Sequence, residues 1–154
     1  MTKGKWFLLY FFLIAVLALA GCSGQLPATL GQFAPCPDSP NCVSTQATDD
    51  DHAIDPFPYS ATKANAKKHL LEIIHSLPRA RVVTDQQDYL HVEFTSRVWR
   101  FIDDVEFYLG VTDRAIHFRS ASRVGRSDLG VNRKRMEAIR KRFISAAPKA
   151  NPEP

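Results

Sequence analysis

Two neighbouring stretches of this chain carry residue types that could do chemistry: Asp103, Asp104 and Glu106 in one, Arg119 and Arg123 in the other. Clustered carboxylates can move protons, and guanidinium groups can hold an oxyanion through paired N–H donors. Both stretches alternate polar with apolar residues, so they read as adjacent strands joined by a turn at Thr112-Asp113-Arg114. If Asp113 and Arg114 form a two-residue loop, 104 faces 123, and Glu106 faces Ala121 with Arg119 and Arg123 on its diagonals. Cross-strand pairs at such positions interact directly, each worth roughly 0.2–1 kcal/mol. A slip of one residue would put Phe107 and Leu109 on the charged face, whereas a three-residue loop changes the pairs and keeps the faces. One face of the sheet should thus carry a ladder of Asp104, Glu106, Arg119 and Arg123.

The next segment, Ser120 to Arg135, can roof that ladder and make a polar pocket. Gly125 and Gly130 permit tight turns, Ser122 and Ser127 offer hydroxyls, and Arg123, Arg126, Arg133 and Arg135 can clamp an anion. A helix N-terminus near Asp128 to Asn132 adds backbone donors. The plainer alternative is a charged face that solubilises the sheet and pins its register. No catalytic set emerges. Adjacent arginines should keep Asp104 and Glu106 ionised, which spoils a proton donor. His117 points away from Ser120 and Ser122, and nothing resembles a nucleophile elbow. His52, His69, His75 and His91 are scattered, so no metal site and no cofactor is expected.

The elements that must position these residues follow from periodicity. Ser60 can cap a helix over Ala61–Leu77, with Ala64, Lys67, Leu70, Leu71, Ile74 and Leu77 on one stripe and Pro78 as its stop. Strands are expected at Ala80–Thr84, Tyr89–Ser96, Asp103–Val111 and Ala115–Ser122. On the second of these, Leu90, Val92 and Phe94 face inward, and His91, Glu93 and Thr95 outward. Val98–Ile102 either extends that strand or forms its own. After Gly130 a second helix runs to about Ser145, capped by Asp128 or Asn132, with Met136, Ile139 and Phe143 as its apolar stripe. The predicted fold is α+β: a four- or five-stranded antiparallel meander with two helices on one face. An irregular belt over 35–59 precedes it, in which Pro56 and Pro58 favour an extended segment that packs Phe57 and Tyr59 onto the domain.

The N-terminus reads as an address. Lys3 and Lys5, an apolar run from Trp6 to Ala20, and Leu19-Ala20-Gly21-Cys22 have the form of a secretory signal. Leu-Ala-Gly-Cys also looks like a bacterial lipobox, in which Cys22 is acylated and becomes the first residue of the mature protein. The organisation expected is a signal peptide over 1–21, a lipidated tether over 22–34, one domain over 35–146 and a disordered tail over 147–154. Without Lys3 and Lys5 the formal charge of +4 falls to +2, so distribution says more than the total. The remaining cysteines enclose a short loop, Cys36-Pro-Asp-Ser-Pro-Asn-Cys42. In an oxidising compartment this pair reads as a disulfide, with labile thiols or a metal pair as alternatives.

That cysteine loop with Val43-Ser44 resembles the opening motif of the domain-of-unknown-function 1499 family of bacteria and plastids. Arg100-Phe-Ile-Asp-Asp-Val-Glu-Phe107 and the run from Arg119 to Arg135 are similar to its other two signatures, so the resemblance spans roughly 33–146. It implies an exported or membrane-associated protein and carries no established reaction. Ladder, loop and signatures together nominate Arg100, Asp103, Asp104, Glu106, Arg119, Ser120, Ser122, Arg123, Asp128, Asn132, Arg133 and Arg135 as ligand-binding residues. The function expected is a non-enzymatic envelope lipoprotein that binds an anionic ligand, lipid headgroup or protein. Arg133, Lys134, Arg140 and Lys141 on the second helix suit anionic lipid. The reading from another class is a hydrolase or transferase using Asp103, Asp104 or Glu106 with an arginine clamp. Export argues against nucleic acid as a partner. Ser23 after Cys22, rather than Asp, favours the periplasmic face of the outer membrane in a host with two membranes.

Overall fold

The computed structural model describes residues 31–110 and 112–145. The signal segment 1–21, Cys22, the tether up to residue 30, Val111 and the expected tail over 147–154 lie outside the described residues. Eight elements follow in order: β1 (Cys42–Ser44), β2 (Phe57–Pro58), α1 (Lys63–Ser76), β3 (Ala80–Asp85), β4 (Tyr89–Thr95), β5 (Ile102–Leu109), β6 (Ala115–Ser122) and α2 (Val131–Ser145). Strands β3 to β6 form the expected antiparallel meander. Strands β1 and β2 extend it to six, both pairing with β6. They come from the belt, where a two- or three-residue strand among prolines and turns is too short to show alternation.

Helix α1 starts two residues later than expected. Thr62, in extended conformation, caps it by accepting from the Asn65 amide at 3.3 Å, while the Ser60 carbonyl accepts from Arg114. Its buried stripe is Ala66, Leu70, Ile73 and Ile74. Ala64, expected to face inward, is exposed, and Leu71 and Leu77 are only half-buried. Lys67 does snorkel at the edge, reaching Asp85 and the Gln86 carbonyl. Helix α2 buries Met136, Ile139 and Phe143 as the spacing predicts.

Both helices cover one face of the sheet and share its core with Leu90, Val92, Phe94, Val105, Phe107, Leu109, Ile116 and Phe118. The proline-flanked Phe57 is fully buried among Phe107, Phe118 and Phe143, with ring centroids 6.5, 4.7 and 6.0 Å away. Cutting such a side chain to alanine costs about 3–5 kcal/mol. Cys36 and Cys42 are joined in a disulfide, their Cα atoms 5.6 Å apart. His52, the nearest candidate metal ligand, is instead held by Asp49 and the Ser39 carbonyl.

Two details of the sheet set the geometry of the polar face. The β5–β6 turn is longer than a two-residue loop, because Gly110 N–H still donates to the Ala115 carbonyl at 2.9 Å. The register is therefore shifted by two from the expected one: Asp104 faces Ala121, and Glu106 faces Arg119 directly. An even shift keeps each residue on its expected face. Val98 to Phe101 neither extends β4 nor forms a strand. Ser96 closes a turn on Phe101, donating and accepting through the backbone and its hydroxyl at 2.8 Å, with Arg100 at φ 58°.

Candidate functional site

The face of the sheet opposite the helices carries charged residues in rows that run across the strands. One row is Thr84–His91–Glu106–Arg119–Ser44, and the next is Arg81–Glu93–Asp104–Ala121–Cys42. His91, Glu93, Asp104 and Glu106 are all less than a tenth exposed. Buried charge is costly unless it is paired, so the pairing decides what this face can do.

Arg123, just past β6, is the clamp of the second row. Its Nε and Nη2 donate to the two Asp104 oxygens at 2.7 and 2.8 Å, and Nη2 also donates to Glu93 at 2.5 Å. Arg81 takes the other Glu93 oxygen at 2.5 Å, and His91 Nε2 meets Asp104 Oδ1 at 2.7 Å. Burial pushes the Asp104 carboxyl up, but hydrogen bonds from His91 and Arg123 and the guanidinium charge outweigh it and hold the group at about 2. Glu93 is lowered by the same competition, its burial overcome by Arg123 and Arg81. The hydrogen bond and charge of Asp104 in turn raise Arg123.

The first row is balanced differently. Glu106 accepts from the Tyr89 hydroxyl at 2.8 Å, but its arginine, Arg119, stands 3.8 Å away. Burial wins there and raises the Glu106 carboxyl despite Tyr89 and Arg119. Burial likewise lowers Arg119 against the pull of Glu106, and raises Tyr89 beside it. The expectation that arginines keep both carboxylates ionised thus describes Asp104, whereas burial governs Glu106.

Two buried side-chain atoms among the described residues find no partner: His91 Nδ1 and Arg119 Nε. They belong to the same row, on either side of Glu106. Asp104, held ionised, can only accept, so His91 Nε2 carries the proton of their bond. Nδ1 is then a free acceptor in the neutral ring and a second donor in the imidazolium.

The residues nominated from sequence do not share one pocket. Asp104, Glu106, Arg119 and Arg123 form the ladder. Asp103, Ser120 and Ser122 lie on the helix-covered face, bound up with the start of α2. There Asn132 accepts from Ser120 at 2.5 Å and Arg135 at 2.8 Å, and donates to Ser122, Asp128 and the Asn41 carbonyl. Arg135 pairs with Asp103 at 2.5 Å and lies over the Phe94 ring at 4.7 Å. Asp128 accepts from the Gly130 and Asn132 amides at 2.8 and 2.7 Å, so its carboxylate takes up the helix donors that an anion would need. Arg133 binds the Ala53 and Asp51 carbonyls of the belt. Arg100 stands apart, exposed in the β4–β5 turn. The expected roof over the ladder is therefore a clamp on the opposite side of the sheet.

Sequence reasoning missed Tyr89, His91, Glu93 and Arg81. Alternation puts His91 and Glu93 outward and the meander sets their strand beside β5, but neither gives the register that brings His91 to Glu106 and Glu93 to Asp104. A groove of about 400 Å³ lined by Tyr59, His69 and Phe143 lies on the helical side, away from the ladder. Among the described residues, no group of three or more His, Cys, Asp or Glu side chains is placed to hold a metal ion. No helix among them is long and apolar enough to cross a membrane.

Comparison with known proteins adds one finding. A family model described as "Protein of unknown function (DUF1499)" matches residues 32–143. No curated protein and no solved structure matches the chain.

Proposed function

The chain belongs to the DUF1499 family, and from that premise we propose that it is a lipid-tethered protein of the cell envelope whose polar sheet face binds an oxyanion. Binding rather than catalysis is the leading reading, because Asp104 and Glu93 are engaged by arginines and Asp103 is turned to the other face. The observation that carries it is the pair of unpartnered buried atoms, Arg119 Nε and His91 Nδ1, in one row across the sheet. A native buried donor without an acceptor calls for a water, an ion or a ligand. An oxygen of a carboxylate or phosphate can accept from Arg119 Nε–H. A second oxygen can accept from His91 as imidazolium, or its hydroxyl can donate to the neutral ring. Tether and compartment rest on Lys3, Lys5, the apolar run and Cys22.

Calorimetric titration with phosphate and with acetate tests the site. Wild type should bind at least one of them and Arg119→Gln neither, while Glu106→Gln keeps binding. No heat in wild type, or equal heat in Arg119→Gln, would mean that ordered water satisfies the two atoms. Labelling of cells with radioactive palmitate tests the tether: label should appear on wild type and be absent from Cys22→Ser.

One contact favours a reading from another class, a hydrolase or transferase. The Asp104–His91 bond orients an imidazole with its other nitrogen free, as a general base requires. That reading expects ester or phosphoester turnover that His91→Gln abolishes while oxyanion binding persists. Turnover equal in His91→Gln and wild type would remove it.

A further inference from the structure

The β4–β5 turn and the loop after β6 leave the same end of the sheet. Arg123 N–H donates to the Ile102 carbonyl at 3.1 Å there, and the Asn41 side chain fixes the Gly125 carbonyl at 2.6 Å. This end gathers apolar side chains that a folded domain would ordinarily cover. Val98 is 72%, Trp99 76% and Phe101 51% exposed, and Val124 and Leu129 are 53% and 84% exposed. Arg97, Arg100 and Arg126 stand among them, exposed and without an ion pair among the described residues. The turn is built rather than loose, since Ser96 and Phe101 hold it closed by two hydrogen bonds of 2.8 Å.

We infer that this end of the sheet docks on the surface of an anionic bilayer, with Trp99 and Phe101 at the headgroup–acyl boundary and the arginines on lipid phosphates. A tryptophan beside arginines is what a membrane interface selects: the ring is apolar with a polar edge, and anionic headgroups supply the charge the arginines lack. The inference rests in part on the tether proposed above, and chain length permits it. Gly31, at φ 86°, lies against the Tyr108 ring at the far end of β5, six residues from Ile102. Six residues of strand measure about 20 Å. The nine Cα–Cα steps from Cys22 to Gly31, fully extended, span about 30 Å. A lipid on Cys22 can therefore enter the same bilayer that the turn touches.

The full chain with Trp6→Phe leaves Trp99 as its one tryptophan. It is placed with phosphatidylcholine vesicles that contain or lack phosphatidylglycerol, some carrying brominated acyl chains. Trp99 emission should shift to the blue and be quenched only on the anionic vesicles. Arg97→Gln with Arg100→Gln should lower the docked fraction relative to the undocked about 25-fold, or about fivefold per arginine. Emission unchanged on anionic vesicles, or equal quenching on neutral ones, overturns the inference. A blue shift that appears without vesicles as protein concentration rises also overturns it, by assigning the patch to a second copy. Mass spectrometry of the same sample reads acylation at Cys22. An unmodified Cys22 sinks the tether alone, because Trp99 still reports docking of chain added from solution.

Discussion

Arg123 on the polar face is gripped by Asp104 and Glu93, with little of its side chain in water. Just beyond Ile102, Arg97 and Arg100 flank a largely exposed Trp99 and meet no carboxylate among the described residues. Burial makes the difference. A charge taken out of water must be paired when the chain folds, so the polar face is tied to stability. A charge left in water costs nothing to fold and stays available to a partner. Between these extremes lies Arg119, side chain 14% exposed, 3.8 Å from its carboxylate and with Nε unmatched. It has the burial of the first region and the unmet demand of the second.

The largest effect should come from breaking the paired region. Arg123→Ala leaves Asp104 with His91 alone and Glu93 with Arg81 alone, two buried carboxylates without the guanidinium they share, and should cost about 3 kcal/mol in urea unfolding. An unchanged midpoint would mean that pairing on this face does not support the fold. Next in size is acid. Asp104 is depressed to about 2 from an ordinary 3.8, so its contribution is present above its unfolded value and lost as pH falls toward 2. That loss amounts to about 2 kcal/mol, and Asp104→Asn should remove it from the pH profile of stability. Glu106 has the opposite sign. Its raised carboxyl favours the fold fully below its unfolded value and loses that as pH rises through the folded one. At neutral pH, Glu106→Gln should therefore unfold no earlier than wild type, whereas Asp104→Asn unfolds earlier. Equal destabilisation by both would erase the contrast between the rows. Smallest of all, Trp99→Ser with Phe101→Ser should change stability by less than about 0.5 kcal/mol. A larger loss by thermal unfolding would make the turn part of the core.

Much of this was readable along the chain, and the failures have physical causes. Alternation of Val105, Phe107 and Leu109 with Asp104 and Glu106 assigns the faces correctly, because one face had to be apolar. It could not give the register, which depends on whether Gly110 and Ala115 still pair. The sequence shows a ladder two strands wide: alternation and the meander put His91 and Glu93 on the charged face beside β5, but which carboxylate each meets is set by the turn that Ser96 closes on Phe101. Ser120, Ser122, Asn132 and Arg135 have the composition of an anion site. Their mutual bonds, set by where α2 lands on the sheet, turn them into a clamp. The cysteine pair was easy to read, since Cys36 and Cys42 enclose a short loop six residues apart, and the bond between them is formed.

The oxyanion site is tested most directly at the ring nitrogens of His91, by NMR titration with phosphate. The expected result is that Nδ1 moves with added phosphate while Nε2, held on Asp104, moves far less. In Arg119→Gln both should stay still. An Nδ1 resonance indifferent to phosphate in wild type, or equally responsive without Arg119, would contradict the site.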